Sequence, residues 1–337
     1  MSKKLTFLYL SEPDVIKTGL TLTETIELCT ESLKQHGLKE VENPPKPGVH
    51  PKEDSFINAM PGWLKQKGVC GIKWVSGFPE NVKQRLPSIV GVIILNSTET
   101  GFPTAVMDGT YITAIRTAAV SGVSAKYLAR KDSEVLAVIG TGVQGKYNTL
   151  CLTTVLPSIK KVKIFDTWAP SLQTFQDQIR PLLPNVEFET ASSMEEAIRD
   201  SDVIVGATAK LTETVYSDEW VKPGALVLPI QVGGWDPDVL SKFDKVVADD
   251  WAQLKAQQDF SRYTSNFDTP YAELGEIVMG KKPGRENDQE KIINFNKGLA
   301  VHDMICGGRV LEKAKKQGLG VELELMDLGS PIPMPPV

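Results

Sequence analysis

The chain is short of the residues that announce metal or redox chemistry: 337 positions hold only four cysteines and three histidines. Cys29, Cys70, Cys151 and Cys306 form no CxxC pair, and none stands beside a histidine at zinc-ligand spacing. That excludes a zinc module and a disulfide framework. No metal is expected, and the cysteines read as reduced, mostly buried thiols of a cytoplasmic protein. Long apolar runs are missing too, since none approaches the roughly 18 residues that suggest a membrane span. The opening Met1-Ser2-Lys3-Lys4-Leu5 has neither the apolar stretch nor the small-residue cleavage site of a signal peptide. Low-complexity tracts are absent, so nothing argues for disorder. Lys and Arg (37 against 42 acidic residues, net −5) are scattered and leave no electrostatic footprint for nucleic acid.

What is present is patterning. The length exceeds one ordinary core, and two domains are expected at about 100–200 residues each. Leu20 to His36 carries Ile26, Leu28, Cys29 and Leu33 on one side, which predicts an amphipathic helix with His36 exposed at its end. A stiff Pro-rich loop follows from Asn43 to Pro51. Gly68–Val75, Ser88–Asn96 and Pro103–Met107 read as successive strands of an antiparallel or mixed sheet. Thr113 to Ala129, rich in small residues, reads as a helix. From Glu134 onward, strands at Val135–Ile139, Val162–Phe165, Val203–Gly206, Ala225–Ile230 and Lys245–Ala248 alternate with helices. The helices start at Val143 or cover Ser171–Leu183 and Met194–Asp200. Such alternation predicts an α/β fold with a Rossmann-type, doubly wound parallel sheet. After Asp250 the chain reads as polar and loop-like. A final helix, Ala300 to Gln317, is expected to pack back on the first domain and make it discontinuous.

The strand ending at Ile139 runs straight into Gly140-Thr141-Gly142-Val143-Gln144-Gly145, and a helix follows. Gly140 permits the tight turn, Gly142 lets the backbone approach a pyrophosphate, and Gly145 allows the helix to pack closely on the strand. The free N–H groups and positive dipole end of that helix would hold the diphosphate. The next strand ends in Asp166, placed to bind a ribose 2′-hydroxyl. Its charge would repel a 2′-phosphate, so NAD is expected, with NADP as the alternative. Thr208, just beyond the strand at Val203–Gly206, is a further cofactor neighbour by position.

Two cations stand out in apolar surroundings: Lys73 inside a strand and Arg116 inside a helix. Each needs an anion, either a bound substrate carboxylate or an internal salt-bridge partner. Their segments also carry a resemblance. Lys73–Asn81, Thr100–Ala119, Ile139–Gly145, Tyr271–Ile277 and Gly298–Asp303 resemble the ornithine cyclodeaminase/mu-crystallin family, and the likeness runs from Asn43 to Gly320. The resemblance implies a homodimeric, nicotinamide-dependent enzyme acting at the α-carbon of an amino or imino acid. It implies a discontinuous α+β substrate-binding and dimerisation domain from residues 1–113 and 305–337, around a Rossmann domain from residues 114–304. It makes Lys73 and Arg116 binders of the substrate carboxylate, with Lys73 also placed for proton transfer. It makes Thr117, the glycine turn with Val143 and Gln144, Asp166 and Thr208 cofactor contacts, and Met60, followed by Pro61, a pocket residue.

Two departures from the family pattern matter. Lys46 stands where many relatives have an arginine, and it can pair with a carboxylate but cannot form the planar fork. The catalytic aspartate of the cyclodeaminases directly follows a Gly-Gly pair, whereas here Trp235 intervenes between Gly233-Gly234 and Asp236. Asp236 is the nearest candidate and Asp238 the next, and either could instead cap the following turn. The leading expectation is therefore an NAD(P)-dependent oxidoreductase: amino-acid dehydrogenation, cyclic imine reduction or opine-type reductive amination. The alternative is ornithine cyclodeamination with catalytic NAD, and a dinucleotide-holding binding protein is a third reading.

Overall fold

The computed structural model describes residues 4–209, 211, 213–231, 233–257, 260–264 and 267–329. Contacts within the chain gather it into two units: residues 1–20, 41–113 and 303–337, and residues 21–40 and 114–302. Residues 330–337, the end of the expected discontinuous domain, lie outside the described residues.

The first unit is built on a mixed eight-stranded sheet. Its order is Val321–Asp327, Lys4–Leu10, Pro103–Asp108, Ile89–Asn96, Val69–Gly77, Phe56–Leu64 and Val41–Glu42, with the short Gly48–Val49 also pairing to Phe56–Leu64. All neighbours are antiparallel except Lys4–Leu10 beside Pro103–Asp108. Alternation sorts the side chains by face. Met60, Lys73, Ile93 and Met107 lie in register across the strands and are all buried. The opposite face carries Trp74, Val92 and Val90, which stay 39–47% exposed. Helix Ala300–Gln317 lies against the buried face from Asp303 onward. It comes close because Gly307 and Gly308 replace side chains there: a Cβ on Gly308 would already stand 3.1 Å from Val69. The strands Lys4–Leu10, Phe56–Leu64 and Val321–Asp327 are additions to the sequence-based picture.

The second unit holds an all-parallel eight-stranded sheet. The order is Glu187–Thr190, Lys161–Phe165, Val135–Ile139, Val203–Gly206, Leu226–Pro229, Ile292–Phe295, Lys245–Ala248 and Ala272–Glu273. The order in which the chain adds strands reverses between Val135–Ile139 and Val203–Gly206, which run parallel, and the crevice at such a switch point is where doubly wound sheets bind ligands. The stretch after Asp250 is not the loop region that its polarity suggests. It supplies Ile292–Phe295, a strand inserted between Leu226–Pro229 and Lys245–Ala248 and buried throughout. Four residues between Lys291 and Asn296 are too few to show a period, which is why the run escaped notice.

Helix Leu22–Gly37, capped by Thr21, belongs with the second unit and not with the chain ends as expected. Paired glycines account for this. A Cβ on Gly275 would stand 2.7 Å from the Leu33 carbonyl oxygen, so only glycine lets the two helices meet. His36, expected at the surface, is buried instead, with Nε2 3.1 Å from Asp250 Oδ2. Burial alone would raise the Asp250 carboxyl, but hydrogen bonds from His36 and the Gln253 amide hold it down to about 2, below the ordinary 3.8. A depressed folded-state pKa gives stability that is present above 3.8 and lost as pH falls toward 2. Asp250→Ala is therefore expected to cost about 1–2 kcal/mol at neutral pH through the lost N-cap, with the deficit shrinking in that acid window. Urea melts of both proteins between about pH 7 and about pH 2.5 check it.

Candidate active site

In the second unit, Val135–Ile139 delivers the chain into the glycine turn, and helix Val143–Val155 follows with Gly142 as its N-cap. The three glycines do different work. Gly140 adopts φ +96, and a Cβ there would meet the Ala207 carbonyl oxygen at 2.5 Å, so the turn passes tightly against the end of Val203–Gly206. A Cβ on Gly145 would stand 2.1 Å from the Gly140 oxygen, which fixes the close seat of the helix. Gly142 has nothing within 4 Å of the Cβ position. The volume a side chain would fill is open, in front of helix amides that have no intrahelical acceptor. Val143, the first residue of the helix, is 58% exposed beside them. Gln144 points its amide toward the Ala114 carbonyl at 3.5 Å and also accepts from Asn148.

Asp166 is fixed against the turn. One carboxylate oxygen accepts from the Thr141 amide at 2.8 Å and the Thr141 hydroxyl at 2.9 Å, and the other accepts from the Trp168 amide at 2.9 Å. Each oxygen has lone pairs left for a diol. Lys161 is engaged with Glu189 and Lys163 with the Arg199 carbonyl, so neither lysine is a counter-ion for a phosphate beside Asp166. Open space at Gly142, presented amides and an anchored acidic residue together fit the diphosphate and ribose of a dinucleotide.

Beyond Val203–Gly206, Thr208 is half-buried and lies beside the Tyr216 hydroxyl. Burial pushes that phenol up to about 12, although the neighbouring Thr208 hydroxyl works the other way. Trp235 stacks on Tyr216 with centroids 4.8 Å apart and is 2% exposed. The residue that interrupts the family pattern is thus a core side chain. Asp236 and Asp238 are exposed, and Asp236 accepts the Asp238 amide at 3.0 Å, the local turn-capping geometry.

Arg116 lies on helix Thr110–Leu128 and is 7% exposed, with half-buried Thr117 next to it. Its guanidinium packs on Gly298, where a Cβ would stand 2.5 Å from Nη1. Gly298 adopts φ +82 and donates its amide to buried Asp249 at 2.7 Å. The positive φ and the flat cation both call for glycine here.

In the first unit, Lys73 is fully buried, and the salt-bridge alternative raised by its setting is realised: Nζ lies 2.7 Å from Asp303 Oδ1. Thr113 Oγ1, 3.3 Å away, accepts from the same ammonium and donates to the Gly109 carbonyl. Met60 is the sheet partner of Lys73 on the same buried face. Lys46 sits half-buried in the Pro-rich loop, which runs along Phe56–Leu64 through the Ala59 amide bond to Pro47 and the pairing of Gly48 with Asn58. His50 is exposed.

Sequence reasoning missed Asp303, Thr113 and Gly298 as supports of the two cations. The signal for Asp303 was a carboxylate in the largely apolar first two turns of its helix, a position that calls for a buried partner. Among the described residues, no group of three His, Cys, Asp or Glu side chains could hold a metal ion, and no helix is long and apolar enough to cross a membrane.

Comparison with known proteins finds relatives that match nearly the whole chain. The nodulation efficiency protein NfeD of Rhizobium meliloti is 37% identical over 93% of this chain and 97% of its own length. Among solved structures, the Δ1-pyrroline-2-carboxylate reductase of Thermococcus litoralis, in complex with NADH and L-proline, superposes with a TM-score of 0.88. It is 32% identical, over 94% of this chain and 99% of that one. An archaeal alanine dehydrogenase dimer with bound NAD gives 0.86, again at 32% identity, over 96% and 100%. The model of the ornithine cyclodeaminase/mu-crystallin family matches residues 10–318, and the chain belongs to that family.

Proposed function

We propose that this protein is an NAD-dependent oxidoreductase acting at the α-carbon of a small amino or imino acid, in the manner of an amino-acid dehydrogenase or a cyclic imine reductase. The observation that carries this reading is the retention, in one chain, of a dinucleotide turn with open space at Gly142 and of two buried cations, Lys73 and Arg116. A protein that only stored a dinucleotide would have no need of a cation to anchor a substrate carboxylate. The relatives solved with NADH and L-proline and with NAD supply the reaction class.

The helix amides from Val143 and Gln144, with Gly140, Gly142 and Gly145, hold the diphosphate. Asp166 takes the ribose hydroxyls, and Thr117 and Thr208 complete the cofactor contacts. When bound, the reduced nicotinamide supplies a hydride to the substrate carbon. Arg116 grips the substrate carboxylate through parallel hydrogen bonds, and Lys46 and Met60 border the substrate. Lys73 donates its proton to the imine nitrogen, and in the oxidative direction it takes that proton back. Asp236 is the second proton-handling group of this reading. Ornithine cyclisation is disfavoured, because the place after Gly233-Gly234 belongs to a core tryptophan. The test is NADH oxidation with pyruvate plus ammonia and with Δ1-pyrroline-2-carboxylate. Tight NADH binding without turnover of any such imine or oxo acid would refute the proposal.

The working form is a homodimer in this reading, joined through the apolar outer face of the first sheet. Trp74 is the register partner of Val92 there, Ser76 of Val90 and Ile72 of Ile94. Such a continuous apolar face is rare on a monomer. Trp74→Glu is expected to halve the mass seen by light scattering, and an unchanged mass would place the interface elsewhere.

A further inference from the structure

We propose that Asp303 is a positioning residue for Lys73, holding its ammonium as one half of a buried neutral pair aimed at the reacting nitrogen. The inference rests on the reading of Lys73 given above and extends it to a residue outside the catalytic pair.

Lys73 has no exposed surface, and Asp303 has none either. An isolated ammonium in that setting would shed its proton before bearing the desolvation cost. Across the sheet, the register partners of Lys73 are Met60 and Ile93, which carry no charge. The charge that faces it comes from the helix, at 2.7 Å. On that helix His302 is engaged with Ser32 through Nδ1, and Cys306 is buried. Asp303 lies in the first turn of Ala300–Gln317, where the helix dipole favours a carboxylate. The approach is built in, since Gly307 and Gly308 let that helix lie close to the sheet. Thr113 fixes the direction of the ammonium. Its hydroxyl proton goes to the Gly109 carbonyl at 2.6 Å, so it offers Lys73 a lone pair.

In imine reduction, for which bound NADH would supply the hydride, the Lys73 ammonium would give one proton to the nitrogen. Lysine becomes neutral, and Asp303 stays ionised beside it to draw the next proton back from solvent. Asp303 thereby sets both the orientation of the donor and the fraction that is charged.

The experiment compares the full-length wild type with Asp303→Asn, Lys73→Met and the double variant. Thermal unfolding measures coupling between the positions without any substrate. Each single change is expected to destabilise, and the double change should cost less than the two together. Steady-state reduction of Δ1-pyrroline-2-carboxylate with NADH then reads the role. Asp303→Asn should lower kcat about tenfold or more at neutral pH. Its alkaline limb should move down by about one pH unit or more, with activity partly regained in acid. NADH affinity, read by fluorescence, should not change. Additive unfolding costs would overturn the pairing whatever the substrate proves to be. Coupled costs with an unmoved pH profile would overturn the positioning role. A wild type inactive on every imine would count against the functional reading, and the unfolding cycle would still decide the pairing.

Discussion

Replacing Arg116 by alanine is expected to lower kcat/KM for a carboxylate-bearing substrate by about two to three orders of magnitude. The guanidinium is buried and packs against Gly298, so it has little freedom to lose on binding. Removing it deletes a charge-assisted, two-point contact and leaves the substrate anion in a partly desolvated place. Most of the effect should fall on KM, since anchoring acts in the ground state and the transition state alike. Arg116→Lys restores the charge without the fork and should recover only part of the loss. The affinity for NADH, measured separately, should be within error of wild type. Wild-type kinetics in Arg116→Ala would remove this residue from the substrate site.

Exchanging glycines one at a time should separate folding from cofactor binding. Gly145→Ala drives a methyl into the Gly140 carbonyl, where the new Cβ would stand 2.1 Å from the oxygen and the obstacle is backbone. A cost of about 3 kcal/mol or more is expected, or roughly 6–12 °C in the melting of this unit. Gly142→Ala meets no obstacle and has φ −68, an ordinary value for any residue. It should melt like wild type but bind NADH about tenfold or more weakly, because the methyl occupies the volume the pyrophosphate must enter. Calorimetry and NADH fluorescence on both variants give the comparison. If Gly142→Ala bound NADH normally, the diphosphate would have to rest somewhere other than on these amides.

The parts of this molecule that could be read from the sequence are those with a local signature. The glycine turn, the strand before it and the aspartate ending the next strand each owe their form to neighbours a few residues away. Strands Val135–Ile139, Val203–Gly206 and Lys245–Ala248 were accordingly readable to the residue. What escaped depended on partners far along the chain. Ile292–Phe295 is a strand because two older strands leave a gap that it fills. His36 is buried because Asp250 waits for it, and no helical pattern could announce that. The setting of Lys73 posed the question of a salt bridge correctly, but the identity of Asp303 lay 230 positions away. Trp235 looked like an interruption in a catalytic motif and proved to be a packing residue, since its role comes from stacking on Tyr216.

The N-terminal strand Lys4–Leu10 pairs with Pro103–Asp108 on one side and Val321–Asp327 on the other. During synthesis on the ribosome, its second neighbour emerges 320 residues later. The nucleotide-binding sheet is complete once Ile292–Phe295 has left the exit tunnel, so it can close first. The sheet that carries Lys73 must wait for both Asp303 and the last strand. Until then an open strand edge and a buried-type lysine without its counter-ion are displayed to the cell, the kind of intermediate that chaperones hold. The long-range pairing of this one strand is expected to make the first unit the slower to close, so that the capacity to hold a dinucleotide should precede the capacity for turnover.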